Sequence, residues 1–160
     1  MTVVTKNVKT RRTIRFNTLD ELLDDARQLV SSEVKLHGNW TVAQMLKHLA
    51  IAFTGSIDGI SFAPPWFVKV MARLFMKRRF IEKSVPAGFT IPDKHRAELV
   101  PSESTDAQEA LAELEAAVSR LKNESHRVEH PVLGVLTTEE WTQFHLRHAE
   151  MHLSFAEAVN

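Results

Sequence analysis

Apolar residues recur with helical period after each of four Thr-x-x-Glu/Gln sequences in this chain: Thr18 with Glu21, Thr41 with Gln44, Thr105 with Gln108, and Thr137 with Glu140. In such a capping box the threonine oxygen accepts a first-turn amide proton and the Glu or Gln side chain reaches back. Pro64-Pro65 marks a fifth start, because proline is tolerated in a first helical turn. The pattern predicts helices over 18–32, 41–57, 65–80, 105–123 and 137–158. Glycine or proline clusters separate most of them: Gly38-Asn39, Gly55 to Gly59, Pro86 to Pro92, and His130-Pro131 to Gly134.

Two stretches stand outside that period. Residues 1–16 alternate loosely and read as an extended arm that packs Ile14 and Phe16 on the helices, with Arg11, Arg12 and Arg15 solvated. Residues 84–104, with three prolines and Gly88, read as a long ordered loop, and loops of that length are often functional. No repeat or composition shift marks a second domain, so residues 1–160 are expected to form one all-α domain. The 65–80 helix has an apolar stripe (Trp66, Phe67, Val70, Met71, Leu74, Phe75) and a basic face (Lys69, Arg73, Lys77, Arg78, Arg79). A membrane-surface helix has that look, but packing on the domain or a homodimer contact is the expectation here.

Composition narrows the function classes. Twenty basic and twenty acidic residues cancel, so no net field draws the protein to nucleic acid or to an anionic membrane, and neither partner is expected. The absence of cysteine excludes disulfides, thiolate metal sites and a cysteine nucleophile. No signal-like apolar stretch opens the sequence and no run of about 18 apolar residues could span a bilayer, which points to the cytoplasm.

The candidate chemistry lies in the 137–158 segment. At about 100° per residue His145, His148 and His152 fall within about 60° of one another, on the stripe that carries Trp141. Buried imidazoles cost free energy unless their nitrogens find partners, and a metal ion satisfies several at once. Histidines four apart on a helix can ligate one ion, which favours His148 with His152; His145 with His148 is a second pair. His145 and His152 are about 10 Å apart along the axis, so a third ligand must come from another helix. His48 is the best candidate, at the edge of an apolar face beside Thr41, Ala52 and Gly55, whose small side chains leave room for a cleft. His37, His95, His126 and His130 fall in predicted loops or near proline. The pattern is not the zinc-protease His-Glu-x-x-His, because Ala149 stands where its glutamate would be.

Several of these residues carry a resemblance. Asn39-Trp40-Thr41 with Gln44 and His48-Leu49, Ser56-Ile57-Asp58-Gly59, Pro86-Ala87-Gly88-Phe89, His130-Pro131 through Leu136-Thr137, Trp141, and His145-Leu146-Arg147-His148 to His152-Leu153-Ser154-Phe155 resemble an uncharacterised branch of the DinB-like (YfiT-like) metalloenzyme superfamily. The resemblance implies a four-helix bundle, here 18–32, 41–57, 105–123 and 137–158, with 65–80 added. It implies a divalent ion, zinc or nickel, held by His48, His148 and His152. It also implies a small-molecule substrate, with thiol-dependent S-transferases among the relatives. A three-histidine site leaves an open position that acidifies a water or deprotonates a thiol. A metal-dependent transferase or hydrolase is therefore expected, with a non-catalytic metal-stabilised binding or stress-response protein as the alternative. His145 is expected near the ligands, orienting a substrate or ligand or relaying a proton.

Overall fold

A computed structural model describes residues 4–62, 64–88 and 93–159, with only the backbone of Lys94. In chain order its elements are a 3-10 turn (Thr5–Asn7), α1 (Leu19–Ser31), β1 (Glu33–Leu36), α2 (Val42–Asp58), α3 (Trp66–Met71), α4 (Lys77–Glu82), α5 (Asp93–Leu99), α6 (Ala107–Asn123), α7 (Thr138–Leu153) and β2 (Ala156–Val159). A π-turn over Ala72–Met76 joins α3 to α4.

Helix starts follow the capping chemistry, with one substitution. Thr18, Thr41 and Thr137 accept the amide protons of Glu21, Gln44 and Glu140 at 3.1, 3.2 and 3.1 Å. The reciprocal half is complete only at Thr41 and Thr137; Glu21 instead accepts from the Asn17 amide. α6 is capped by Asp106, which accepts from Glu109 N at 2.9 Å, and not by Thr105, whose hydroxyl donates to the Ser102 carbonyl. A carboxylate is as good a cap as a threonine, and Asp106 sits next to the first helical residue.

The fold is mostly helical. α1, α2, α6 and α7 share one apolar core, in which Leu22, Leu46, Phe53, Leu114 and Leu146 are wholly inaccessible to solvent. α2 lies against α6 and α7, and α1 against the same two. Gly59, at φ 90°, ends α2. That left-handed backbone region carries a penalty for any residue with a Cβ.

The all-α expectation needs a correction at the end of the chain. The helix predicted to reach residue 158 stops at Leu153, and Ala156–Val159 pair antiparallel with Glu33–Leu36, from Glu33 opposite Val159 to Leu36 opposite Ala156. Carbonyls of this segment are taken by partners far off in sequence. Arg12 N donates to Ser154 O, His37 N to Phe155 O, and the Arg12 guanidinium to Ala156 O. Tertiary hydrogen bonds outweigh the local helical pattern there.

The arm packs as expected; of its arginines Arg15 stays exposed, while Arg11 and Arg12 are half-buried. Phe16 is buried and Ile14 packs against the core. Arg12 makes a bidentate pair with Asp25 at 2.7 Å, Arg15 reaches the Glu82 carbonyl, and Arg11 lies over the Phe155 ring. Under the arm lies a buried ion pair: Glu150 accepts from Phe16 N at 2.8 Å and lies 3.0 Å from the Arg147 guanidinium, which donates to Phe16 O. Each side chain of this pair is 1% exposed.

Two further expectations change. Residues 84–104 are not a plain loop, because they contain α5; Phe89 and Pro92 lie outside the described residues. The apolar stripe at 65–80, expected to pack on the domain or make a homodimer contact, does not pack on the domain along its front: Trp66, Leu74 and Phe75 are 76%, 70% and 71% exposed. The π-turn explains the split. On an uninterrupted α-helix Phe80 would lie within about 40° of Trp66. The extra residue in the turn rotates α4 back by roughly one position, ~100°. Phe80 and Ile81 then join Ala72, Leu133, Leu136 and Trp141 in a second buried cluster, while the front of the rod keeps its stripe in solvent.

Candidate metal centre

α2 and α7 bring His48, His148 and His152 together, with one ligand nitrogen from each inside a sphere where all separations are within 4.8 Å. Nε2 of His148 and Nε2 of His152 are 3.0 Å apart, as one helical turn permits. A tetrahedral site with metal–nitrogen bonds of about 2.0–2.1 Å needs ligand spacings of about 3.4 Å. Small side-chain rotations bring the three nitrogens there.

The His48 ring is oriented from behind. Its Nδ1 lies 2.6 Å from the Leu99 carbonyl, which can only accept, so Nδ1 carries the proton and Nε2 presents a bare lone pair. Leu99 is the last residue of α5, where helix carbonyls lack intrahelical partners. Metal-bound histidines almost always donate their second N–H in this way. Gln44 fixes the same segment by donating to the Pro101 carbonyl at 3.0 Å. The short helix inside the expected loop therefore positions the ring.

Burial keeps all three rings neutral. It lowers the pKa of His48, and it pushes His148 and His152 well below the ordinary histidine range, helped by the neighbouring imidazoles. Neutral rings keep their lone pairs for a cation at pH 7. Trp40 closes one side, stacked on His152 at 5.2 Å with an interplanar angle of 4° and edge-on to His48. His148 Nδ1 is buried without a hydrogen-bond partner.

These rings face a cavity of about 640 Å³ with mostly apolar walls, including Met45, Ile60, Phe62, Val85, Phe144 and Met151. Ala52 and Gly55 line it, as their small size predicted. Gly55 is also a point of close approach: a Cβ there would sit 2.4 Å from Ile60 Cγ2. The volume suits a small organic molecule.

His145 lies elsewhere than expected. It is fully buried and does not line the cavity; its ring packs between Phe53 and Trp141 at 4.3 and 5.2 Å. Ser56 donates its hydroxyl proton to the Phe53 carbonyl, so Ser56 Oγ accepts from His145 Nε2 at 3.0 Å. Burial drops its pKa to about 3. Ser56 itself reaches the cavity wall, so His145 touches the site through one hydroxyl.

His130 is the cavity residue that spacing alone did not single out. Its Nδ1 accepts from the Val132 and Leu133 amides at 3.1 and 2.9 Å, which places the proton on Nε2. Burial lowers its pKa to about 4, so it offers a neutral N–H donor from the cavity wall. The sequence signal was His130-Pro131 ahead of Gly134, a tight turn closed by a bridge between residues 130 and 134. His37 and His126 stand apart from the three-histidine group; His95 is buried on α5, against Phe62.

A protein-family profile described as protein of unknown function (DUF1569) matches residues 8–158. The chain belongs to that family. No curated protein and no solved structure matches the chain. The DUF1569 span runs from the arm through β2 and contains all three histidines together with α5.

Proposed function

We propose that this DUF1569 protein is a metal-dependent enzyme of the DinB-like (YfiT-like) kind, a single four-helix-bundle domain built on α1, α2, α6 and α7. His48, His148 and His152 hold a divalent ion, zinc or nickel, and the substrate is a small molecule. The observation that carries this reading is the convergence of three neutral imidazoles from two helices on a large apolar cavity. A purely structural trio would not need a bare lone pair on His48 aimed at its partners, nor an empty volume beside them.

When bound, a divalent ion in such a site lowers the pKa of a coordinated water or thiol. The chain supplies the rest. Leu99 O holds the His48 ring, and Trp40 stacks on the rings and shields them from water. Apolar walls favour a substrate with a hydrocarbon or aromatic body, and His130 Nε2–H donates to its polar end. His145 acts as a positioning residue through Ser56. These features fit S-transfer from a low-molecular-weight thiol, or hydrolysis.

Elemental analysis of untagged protein tests the site, with about one zinc or nickel per chain expected. His148→Ala and His152→Ala abolish stoichiometric metal, and His48→Ala weakens it strongly. Loaded protein offered a panel of small thiols with electrophilic acceptors, then esters and amides, separates transfer from hydrolysis. Full metal occupancy in all three variants would refute the assignment.

A further inference from the structure

The front of the α3–α4 rod presents an apolar surface that none of the described residues covers. Trp66, Phe67, Met71, Leu74 and Phe75 are each more than half exposed. Single exposed apolar residues need no explanation, but a contiguous aromatic patch marks an interaction surface. The charge around it identifies the occupant. Residues 66–83 carry Lys69, Arg73, Lys77, Arg78, Arg79 and Lys83 against Glu82 alone, in a chain whose total charge is balanced. Arg73, Lys77 and Arg78 have acidic neighbours in Glu129, Glu140 and Glu82. Lys69, Arg79 and Lys83 have no ion-pair partner among the described residues.

We propose that this rod is a docking surface for an anionic lipid bilayer, lying in the plane of the interface with its aromatic stripe in the acyl boundary and its arginines and lysines among the headgroups. An interfacial helix has this combination of a wide apolar face, flanking Lys and Arg, and low net hydrophobicity. The π-turn makes it possible. It lets the back of the rod anchor through Phe80 and Ile81 while the front half stays outward. No helix here is long and apolar enough to cross a membrane among the described residues, so the contact is peripheral. A second copy is the poorer occupant. A two-fold interface would set the same patch against itself, and the unpaired Lys69, Arg79 and Lys83 of one rod would face those of the other. The positive charge is local to this rod, in a chain whose net charge is zero.

Full-length protein mixed with phosphatidylcholine vesicles, with and without about a quarter phosphatidylglycerol, tests this. Sedimentation with the anionic vesicles is expected, and it weakens steeply with added salt. Trp66 is the exposed member of the three tryptophans, so its emission shifts to the blue on binding and the shift is absent in Trp66→Ala. Leu74→Ser and Phe75→Ser each lower partitioning about tenfold. Arg79→Gln and Lys83→Gln each lower it about fivefold on anionic vesicles only. All five substitutions are at exposed positions, and circular dichroism confirms that the variants fold. Equal binding to both vesicle types overturns the charge argument. Absence of binding overturns the proposal, and a dimer in sedimentation equilibrium that Leu74→Ser dissolves would give the surface to a second copy.

Discussion

The buried imidazole of His145 makes the metal-free protein acid-labile by an amount that can be worked out. Its pKa falls from an ordinary 6.5 to about 3 in the fold, because burial in an apolar surround penalises the charged ring. The unfolded chain therefore binds more protons than the folded one at every pH between those values, and stability must fall as pH falls through that window. Between pH 7 and pH 5 the unfolded His145 takes up about 0.7 of a proton and the folded one almost none. Integrating about 1.36 kcal/mol per pH unit per proton below 6.5 gives a loss of about 2 kcal/mol from this ring alone. His145→Gln keeps an amide N–H for Ser56 and removes the titration. Urea unfolding of chelator-treated wild type and variant at pH 7 and pH 5, followed by far-ultraviolet circular dichroism, reads the difference. The wild type should lose about 2 kcal/mol more than the variant; His48 and His152 are common to both, and the coupling of His145 to His130 and His148 is smaller than its burial. Equal losses would mean that His145 is hydrated or already protonated in the fold, and the Ser56 contact would then be misassigned.

Two other outcomes follow from the same structure. Glu150→Ala strands the buried Arg147 guanidinium and should cost about 3–5 kcal/mol in denaturant unfolding, whereas Arg147→Met with Glu150→Leu should recover much of that. If the single variant costs under about 1 kcal/mol, the pair is not buried in solution. Removing metal with a chelator should lower the melting temperature by about 5–10 °C, as expected for loss of a ligand present at ~100 times its dissociation constant. His148→Ala should melt at the chelated temperature whether or not chelator is added.

Much of the site was legible because its information is local. The spacing of His148 and His152 follows from helix geometry alone, and His48 followed from its place beside Ala52 and Gly55. Thr41 and Thr137 announced the two helices that carry these residues. What was not legible depended on residues distant in sequence. β2 pairs with β1 across more than a hundred residues, and a short helical pattern at 154–158 gives no hint that Arg12 and His37 will claim its carbonyls. Arg147 and Glu150 read as ordinary surface charges until the arm folds over them. α5 was hidden in the sequence by the prolines on either side of it, although it supplies the carbonyl behind His48. The π-turn has no composition signal, and only the inward turn of Phe80 and Ile81 reveals it.

The strand pair at the end of α7 has a mechanical consequence. His152 is one residue from the last residue of its helix, where a free helix end frays and its side chains swing. β2 begins only three residues after Leu153 and is zipped to β1 from Leu36–Ala156 out to Glu33–Val159. A load applied at Val159 must peel that pair from its far end before it reaches the turn below His152. The small sheet thus works as a strain relief: the last coil of α7 is clamped at both sides, and the third imidazole holds its aim.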